Sequence, residues 1–296
     1  MEPTTSWRAL VDPGAAEDFF AIDDLPAFDA LARGAYSRAN ALWMSEASRL
    51  VYRGDPESRR RFFRDAGLEE IRFFDRGATQ GALVRGPGFA LLVFRGTLGA
   101  GDWLSDLDCP PVPWQGGGRV HQGFRRQLAA VWHEVREALD GIRVPVFYAG
   151  HSLGAALATL AAALRFCEGG AAPAALYTFG SPRVGTADFA RAFPATFLHC
   201  RLVNDRDVVA KVPPRRLADM VFGDAFRHVG ALFHLREGAL EQGVGDDDEA
   251  PHLALEEMAE RWRAELARIR EEGGWSCIGP LVDHAPVNYT ARIERA

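Results

Sequence analysis

YAGHSLGA, residues 148–155, joins two patterns that predict different secondary structures. Residues 144–148 before it are apolar and β-prone, and residues 155–166 are rich in alanine and leucine, which favours a helix. The junction itself reads G-x-S-x-G. A serine at a sharp strand-to-helix turn presents its hydroxyl at the edge of the sheet, and the two glycines let the turn close without a Cβ clash. We therefore predict a nucleophile elbow with Ser152 as the nucleophile, rather than an ordinary turn.

The rest of the chain alternates between helical and strand-like patterns. Apolar spacing predicts one helix from Leu25 to Arg53 and a second from Pro56 to Ala66. Strands are predicted over 70–74, 80–85, 89–94, 174–179 and 196–203, and a further helix over 123–140. The alternation implies parallel strands with right-handed crossovers, and the opening strands imply antiparallel pairing. The predicted fold class is therefore α/β, with a mixed, mostly parallel central sheet flanked by helices, in a single domain.

The composition excludes some classes of partner. The 296 residues include 34 lysine and arginine against 40 aspartate and glutamate residues, a net charge of −6, which argues against nucleic acid and against electrostatic docking on anionic membranes. Residues 1–12 lack the features of a secretory signal, and the apolar run at 155–163 is too short for a transmembrane segment. Four scattered cysteines without C-x-x-C pairs are typical of reduced thiols. We expect a cytoplasmic protein.

A serine nucleophile needs a base to remove its proton and an acid to orient that base. On a sheet with such an elbow, the acid and then the histidine follow the serine along the chain. Asp207, after an apolar strand, is the preferred acid, and Asp205 is the alternative. His284 lies in a proline-bounded loop that suits delivery of a ring to the sheet edge, whereas His228 and His234 have the apolar context of core histidines. The pattern favours His284 and leaves His228 as the alternative base.

Two hydrogen-bond donors are also needed where the carbonyl oxygen of a substrate becomes charged. One is the backbone N–H of Leu153, directly after the nucleophile. The other is expected in FRGT at 94–97, where an apolar strand breaks at a glycine and Thr97 offers both an N–H and a hydroxyl. We predict an oxyanion hole made by Thr97 and Leu153.

These motifs, in this order, resemble the fungal-type triacylglycerol lipase family (lipase class 3), a branch of the α/β-hydrolases. The matching segments are VFRGT at 93–97, DWLSDL at 102–107, VHQGF at 120–124, GHSLG at 150–154, TFGSPRVG at 178–185, the acid segment at 201–207 with Pro213 and Pro214, and Asp283-His284 with Tyr289. The resemblance implies the α/β-hydrolase fold and a catalytic triad of Ser152, Asp207 and His284. We expect a bacterial member of the family.

The resemblance further implies a short lid helix near 101–108. Trp103 and Leu104 are its expected substrate contacts. Asp106, in the same segment, is expected to orient the Thr97 hydroxyl. His151, beside the nucleophile, is expected to have a structural role.

Two segments between the acid and the histidine depart from the family pattern. They are an acidic loop at 237–250 and an amphipathic helix at 252–271, which we interpret as an insertion into a domain spanning 1–296 with its core at 25–292. The loop contains DDDE at 246–249. A solvated loop is the favoured interpretation and a divalent-ion site the alternative, because the alternating ligand spacing of a calcium loop is missing.

The sequence thus predicts a serine carboxylic-ester hydrolase that acts on lipid esters, an acylglycerol lipase or esterase with an acyl-enzyme intermediate. The alternatives are a phospholipase A-type hydrolase or membrane-lipid effector, and a non-catalytic lipid-binding protein on the same scaffold, against which the intact triad argues. The expected partners are a lipid or ester substrate and a lipid–water interface, with no nucleic acid. This chemistry requires no cofactor and no metal, and we expect none.

Overall fold

A central sheet of eight strands runs through the part of the chain that the computed structural model describes, which is residues 3–4, 6–97, 109–213, 226–243 and 282–296. The helices are α1 (Trp7–Val11), α2 (Arg38–Leu50), α3 (Pro56–Asp65), α4 (Gln122–Asp140), α5 (Leu153–Cys167), α6 (Ala187–Ala192) and α7 (Pro286–Arg295). The strands are β1 (Glu69–Arg76), β2 (Thr79–Gly86), β3 (Phe89–Phe94), β4 (Pro111–Pro113), β5 (Arg119–His121), β6 (Val146–His151), β7 (Ala175–Phe179), β8 (Gly185–Thr186), β9 (Leu198–Asn204), β10 (Phe226–Arg227), β11 (Ala231–Arg236) and β12 (Ala239–Gly243).

The sheet has the order β1-β2-β3-β6-β7-β9-β11-β12. Its centre, from β3 through β6, β7 and β9 to β11, is parallel. The edges are antiparallel, with β1 and β2 on one side and β12 on the other. The prediction of a mixed, mostly parallel sheet is therefore confirmed. A smaller sheet of short strands, in the order β10-β8-β5-β4, lies beside it.

Helices cover both faces of the central sheet. Helices α4 and α5 bury their apolar residues on one face, and α2 and α7 bury theirs on the other. The central strands therefore have no solvent face, which explains why β3 and β7 are buried at every position and do not alternate between apolar and charged residues. Because parallel strands end at the same edge, the turns after β3, β6, β7 and β9 all meet there.

The predicted helix from Leu25 to Arg53 is wrong over its first half. Helix α2 begins only at Arg38, where Ser37 caps it by accepting a hydrogen bond from the Asn40 N–H at 3.3 Å. The segment before it is irregular, and Phe28 stacks on Phe89 of β3 with ring centroids 3.9 Å apart. The apolar spacing of this segment reflects packing onto the sheet rather than a helical face.

The predicted acidic loop at 237–250 is wrong at its start. Residues 239–243 form β12, which pairs with β11 across a two-residue turn at Glu237 and Gly238. Gly238 has a φ of +69°, a conformation that glycine adopts without a steric penalty. Strand β11, which the sequence analysis treated only as the context of His228 and His234, gains an antiparallel partner in this way.

Several predicted features lie outside the described residues. They are the lid at 101–108, the rest of the acidic loop, the helix at 252–271 and Cys277. Among the described residues, Cys109, Cys167 and Cys200 are free, and none of the helices has the length and apolarity to cross a membrane. The single-domain organisation and the cytoplasmic location stay predictions.

Candidate active site

Ser152 lies at the sharp turn between β6 and α5. Its φ of 60° and ψ of −128° place it in a region that non-glycine residues rarely occupy. The turn is held because the Ser152 N–H donates to the Phe179 carbonyl oxygen at 2.9 Å. A Cβ at Gly150 would lie 2.2 Å from the Gly154 oxygen, and one at Gly154 would lie 2.1 Å from the Phe94 oxygen. Both glycines of the motif are therefore needed for the close approach of α5 to β6 and β3.

Asp207 and His284 form a buried pair next to this turn. The His284 Nδ1 donates to Asp207 Oδ2 at 2.8 Å, although the two residues are 77 positions apart in the chain. The other carboxylate oxygen, Oδ1, accepts the Val209 N–H at 2.8 Å. The carboxylate is fully buried and the His284 ring is nearly so. Because a carboxylate accepts at Nδ1–H, the second ring nitrogen, Nε2, carries the lone pair that a general base needs.

The Nε2 atom of His284 is buried and has no hydrogen-bond partner within the described residues. The turn after β7 brings the imidazole close to Ser152. Phe179 accepts the Ser152 N–H, and the next residue, Gly180, is so close that its Cβ would lie 2.6 Å from Asp207 Oδ2 and 2.9 Å from His284 Nδ1. The predicted serine, acid and histidine are thus brought together around one turn.

The two alternatives weighed in the sequence analysis lie elsewhere. Asp205 occupies the turn after β9 with a φ of 38°, and its carboxylate lies 3.9 Å from Arg206. His228 binds the Ala210 carbonyl oxygen through Nε2 at 2.7 Å, and burial, together with Arg201, holds its pKa well below the usual value. The structure therefore pairs His284 with Asp207.

Tyr289 is a residue of the site whose role the sequence analysis missed. Its hydroxyl donates to Asp207 Oδ2 at 2.5 Å and accepts the Asn204 N–H at 3.1 Å. Burial, reinforced by the charge of Asp207, raises the pKa of Tyr289 well above its usual value, so the hydroxyl stays protonated and remains a donor. The residue was noticed as part of a motif, but only its position on the first turns of α7, just after His284, hints at this contact.

The loop after β3 reaches the same edge of the sheet. A Cβ at Gly96 would lie 3.1 Å from the Ser152 Cβ and 2.8 Å from the His151 carbonyl oxygen, so the next residue, Thr97, follows directly beside the nucleophile. Leu153 is the first residue of α5, where backbone N–H groups have no acceptor within the helix. The structure brings both predicted oxyanion residues next to Ser152, and their role as donors stays a prediction.

His151 is buried behind the nucleophile. Its Nε2 lies 2.7 Å from the His284 carbonyl oxygen, and its Nδ1 lies 2.9 Å from the Tyr52 hydroxyl. Trp103, Leu104 and Asp106 lie outside the described residues. No group of three or more metal-ligating side chains occurs in the part of the chain that the structure describes.

Comparisons with known proteins point to the same segment. A family model described as lipase (class 3) matches residues 91–217, which include Thr97, Ser152 and Asp207 but not His284. The chain is similar to a lipase from Rhizomucor miehei, with 36% identity over 161 residues that make up 51% of this chain and 42% of that protein. It is also similar to phospholipase A1-II 4 from Oryza sativa subsp. japonica, with 33% identity over 164 residues, 44% of this chain and 41% of that protein.

A solved structure is similar as well. The triacylglyceride lipase of Rhizomucor miehei superposes with a TM-score of 0.54 and 28% identity, over 64% of this chain and 79% of that one. The chain nevertheless spans less than half the length of the two relatives above, 42% and 41%. The span of the family model contains both the elbow and the acid.

Proposed function

Because the chain belongs to the class 3 lipase family, we propose that it is a serine carboxylic-ester hydrolase that acts on lipid esters, with acylglycerols as the first candidates. The predicted family and the α/β-hydrolase fold are confirmed by the family model and by the fungal lipase structure. The expected bacterial origin stays a prediction. The observation that carries the proposal is the buried Asp207–His284 hydrogen bond, beside the elbow of Ser152, which leaves Nε2 of His284 without a hydrogen-bond partner among the described residues.

In the proposed acylation step, Ser152 Oγ attacks the ester carbonyl carbon while His284 Nε2 takes the hydroxyl proton. Asp207 stabilises the resulting imidazolium through the bond to Nδ1 and keeps the ring in the productive tautomer. When the tetrahedral intermediate collapses, the ester C–O bond breaks and His284 returns the proton to the leaving alcohol. Water then repeats the sequence on the acyl-enzyme and releases the fatty acid.

We propose that Thr97 and the Leu153 N–H donate hydrogen bonds to the negatively charged oxygen of the tetrahedral intermediate. Both lie next to Ser152, and the N-terminus of α5 adds a favourable dipole at the same point. Removal of one such donor costs about 3 kcal/mol of activation free energy in comparable sites. Orientation of Thr97 by Asp106, and contact of the acyl chain with Trp103 and Leu104 at a lipid–water interface, belong to the same proposal.

A phospholipase A-type hydrolase is the second candidate function. One observation favours it, namely the similarity to a plant protein called phospholipase A1-II 4. The triad chemistry is the same for both, because each reaction cleaves a carboxylic ester. The two candidates differ in the head group that the substrate carries beside the ester.

The experiment is hydrolysis of p-nitrophenyl esters of increasing acyl length, followed by acylglycerol emulsions and phosphatidylcholine micelles. Wild-type protein is compared with Ser152→Ala and with Ser181→Ala, a matched variant of a second buried serine whose hydroxyl bonds the Pro182 oxygen. We expect turnover by the wild type and by Ser181→Ala, and none by Ser152→Ala. Preference for phosphatidylcholine would favour the second candidate. Absence of turnover of every ester by folded wild type, or full turnover by Ser152→Ala, would refute the proposal.

A further inference from the structure

A buried chain of hydrogen bonds crosses the site behind Ser152. It begins at the Tyr52 hydroxyl, which packs directly against Gly96. Tyr52 lies 2.9 Å from His151 Nδ1, and His151 Nε2 lies 2.7 Å from the His284 carbonyl oxygen. Tyr52 and His151 are buried, and neither takes part in the reaction steps above.

The direction of every bond in this chain is fixed. A carbonyl oxygen only accepts, so the proton on His151 must be on Nε2 and points at His284. Burial, with His284 nearby as a second cause, holds the pKa of His151 well below its usual value, so the ring is neutral and Nδ1 is an acceptor. The Tyr52 hydroxyl must therefore donate to Nδ1. Burial also raises the Tyr52 pKa, which keeps that proton in place.

The chain joins the loops that meet at the nucleophile. Gly96 belongs to the loop after β3 and adjoins Thr97, His151 is the last residue of β6, and His284 lies in the segment before α7. The fit is tight, because a Cβ at Gly96 would lie 2.0 Å from the Tyr52 hydroxyl oxygen. A single tyrosine from the end of α2 thus touches the loop of the proposed oxyanion hole and, through one ring, the backbone of the proposed base.

We propose that Tyr52 and His151 are positioning residues that hold the loop of Thr97 and the backbone of His284 in register with Ser152. This inference deepens the proposed function and rests on it. Asp207 restrains the His284 ring at Nδ1, whereas His151 restrains the same residue at its carbonyl oxygen. Together, the two contacts fix the position of the His284 backbone and the orientation of its ring. With only one, the ring still binds Asp207 but swings about that contact, and misplacement by about 1 Å costs about 100-fold in rate.

The test uses substitutions that remove one bond at a time. Tyr52→Phe deletes the donor to Nδ1 and keeps the ring. Tyr148→Phe is its matched control, because Tyr148 is also buried, lies on the same strand as His151 and packs into the core on the α4–α5 face. At position 151, a glutamine amide nitrogen reaches the place of Nε2 and keeps the bond to His284, whereas an asparagine reaches only the place of Nδ1.

The readouts are kcat and KM for the best p-nitrophenyl ester, per active site titrated with a fluorophosphonate, and the free energy of unfolding. We expect Tyr52→Phe to lower kcat about 10- to 100-fold with KM changed less than about twofold, and Tyr148→Phe to match the wild type. We expect His151→Gln to keep about tenfold more kcat than His151→Asn, about the effect of one hydrogen bond. In the His151→Gln background, Tyr52→Phe should lower kcat less than it does alone, because the bond to Nδ1 is already absent and only the contact with Gly96 is left to lose.

The possible outcomes separate this inference from the proposed function. Absence of turnover by the wild type refutes both. Wild-type turnover with an unchanged kcat in Tyr52→Phe, whether or not its stability falls, refutes the positioning role alone. If Tyr52→Phe does not fold, the position 151 pair decides, and an equal kcat for His151→Gln and His151→Asn refutes the role.

Discussion

Substitution of Tyr289 by phenylalanine removes one oxygen atom from the centre of the site. That oxygen donates to Asp207 Oδ2 at 2.5 Å, the same atom that accepts from His284 Nδ1, and it also accepts the Asn204 N–H at 3.1 Å. A hydrogen bond to a charged group contributes about 1.5–3 kcal/mol, and a factor of ten in rate corresponds to about 1.4 kcal/mol. We expect kcat to fall about 10- to 100-fold, because Asp207 loses one of the contacts that fix its orientation towards His284.

The same variant loses stability. Asp207 and the Asn204 N–H are both buried, so each loses a partner that water does not replace, and we expect a loss of about 3 kcal/mol in the free energy of unfolding. The assays are steady-state hydrolysis of a p-nitrophenyl ester and urea unfolding followed by tryptophan fluorescence.

Tyr177→Phe is the matched control. Tyr177 is equally buried on β7, but its hydroxyl accepts the Ser37 N–H at 3.0 Å and does not contact Asp207. We expect it to lose about 1 kcal/mol of stability, as for a neutral hydrogen bond, with no change in kcat. If Tyr289→Phe keeps wild-type kcat, or if both tyrosine variants lose kcat equally, the argument that Tyr289 orients the acid is refuted.

Three further predictions concern pH, space and charge. Burial lowers the pKa of His199 to about 3 from its usual 6.5, so below about pH 6.5 the unfolded chain binds a proton there that the folded chain does not, and this residue lowers the free energy of unfolding by about 1.4 kcal/mol per pH unit. His199→Gln should therefore reduce the dependence of stability on pH, measured as urea midpoints from pH 7 to pH 4.5. An unchanged dependence on pH would contradict this. Gly180→Ala should abolish hydrolysis in a folded protein, because its Cβ would lie 2.6 Å from Asp207 Oδ2 at a φ of +60°; retained kcat would contradict this. Glu70→Gln should lower the free energy of unfolding by about 3–5 kcal/mol, because it leaves buried Arg59 without its ion-pair partner at 2.7 Å. A loss below about 1 kcal/mol would contradict a stabilising role for this pair.

The elbow could be predicted from sequence because its determinants are local. The glycines at 150 and 154, the strand before them and the helix after them all lie within about two dozen residues, and the turn they predict is the one observed. The acid and the histidine were harder, since patterns alone left Asp205 and His228 open. Their assignment came from the order of motifs along the chain, and the structure pairs Asp207 with His284 across 77 positions.

The contacts that sequence reasoning missed are all non-local. Tyr52 meets His151 across 99 positions, and no local pattern distinguishes it from any other tyrosine near a helix end. The helix prediction at Leu25 failed for the same reason. The apolar residue Phe28 stacks on Phe89, far away in the sequence, and is not part of a helix. Strand β12 was missed because its polar residues face outward at the edge of the sheet, where burial does not impose an apolar pattern.

The most direct test of the central claim is a pre-steady-state burst of p-nitrophenol with mass spectrometry of the quenched protein. If Ser152 forms an acyl-enzyme with His284 as its base, the wild type should release up to one equivalent of p-nitrophenol per site, and the acyl mass should map to the peptide that contains Ser152. Ser152→Ala should show neither the burst nor the adduct. An adduct on another residue, or a wild-type burst that Ser152→Ala retains, would contradict the account.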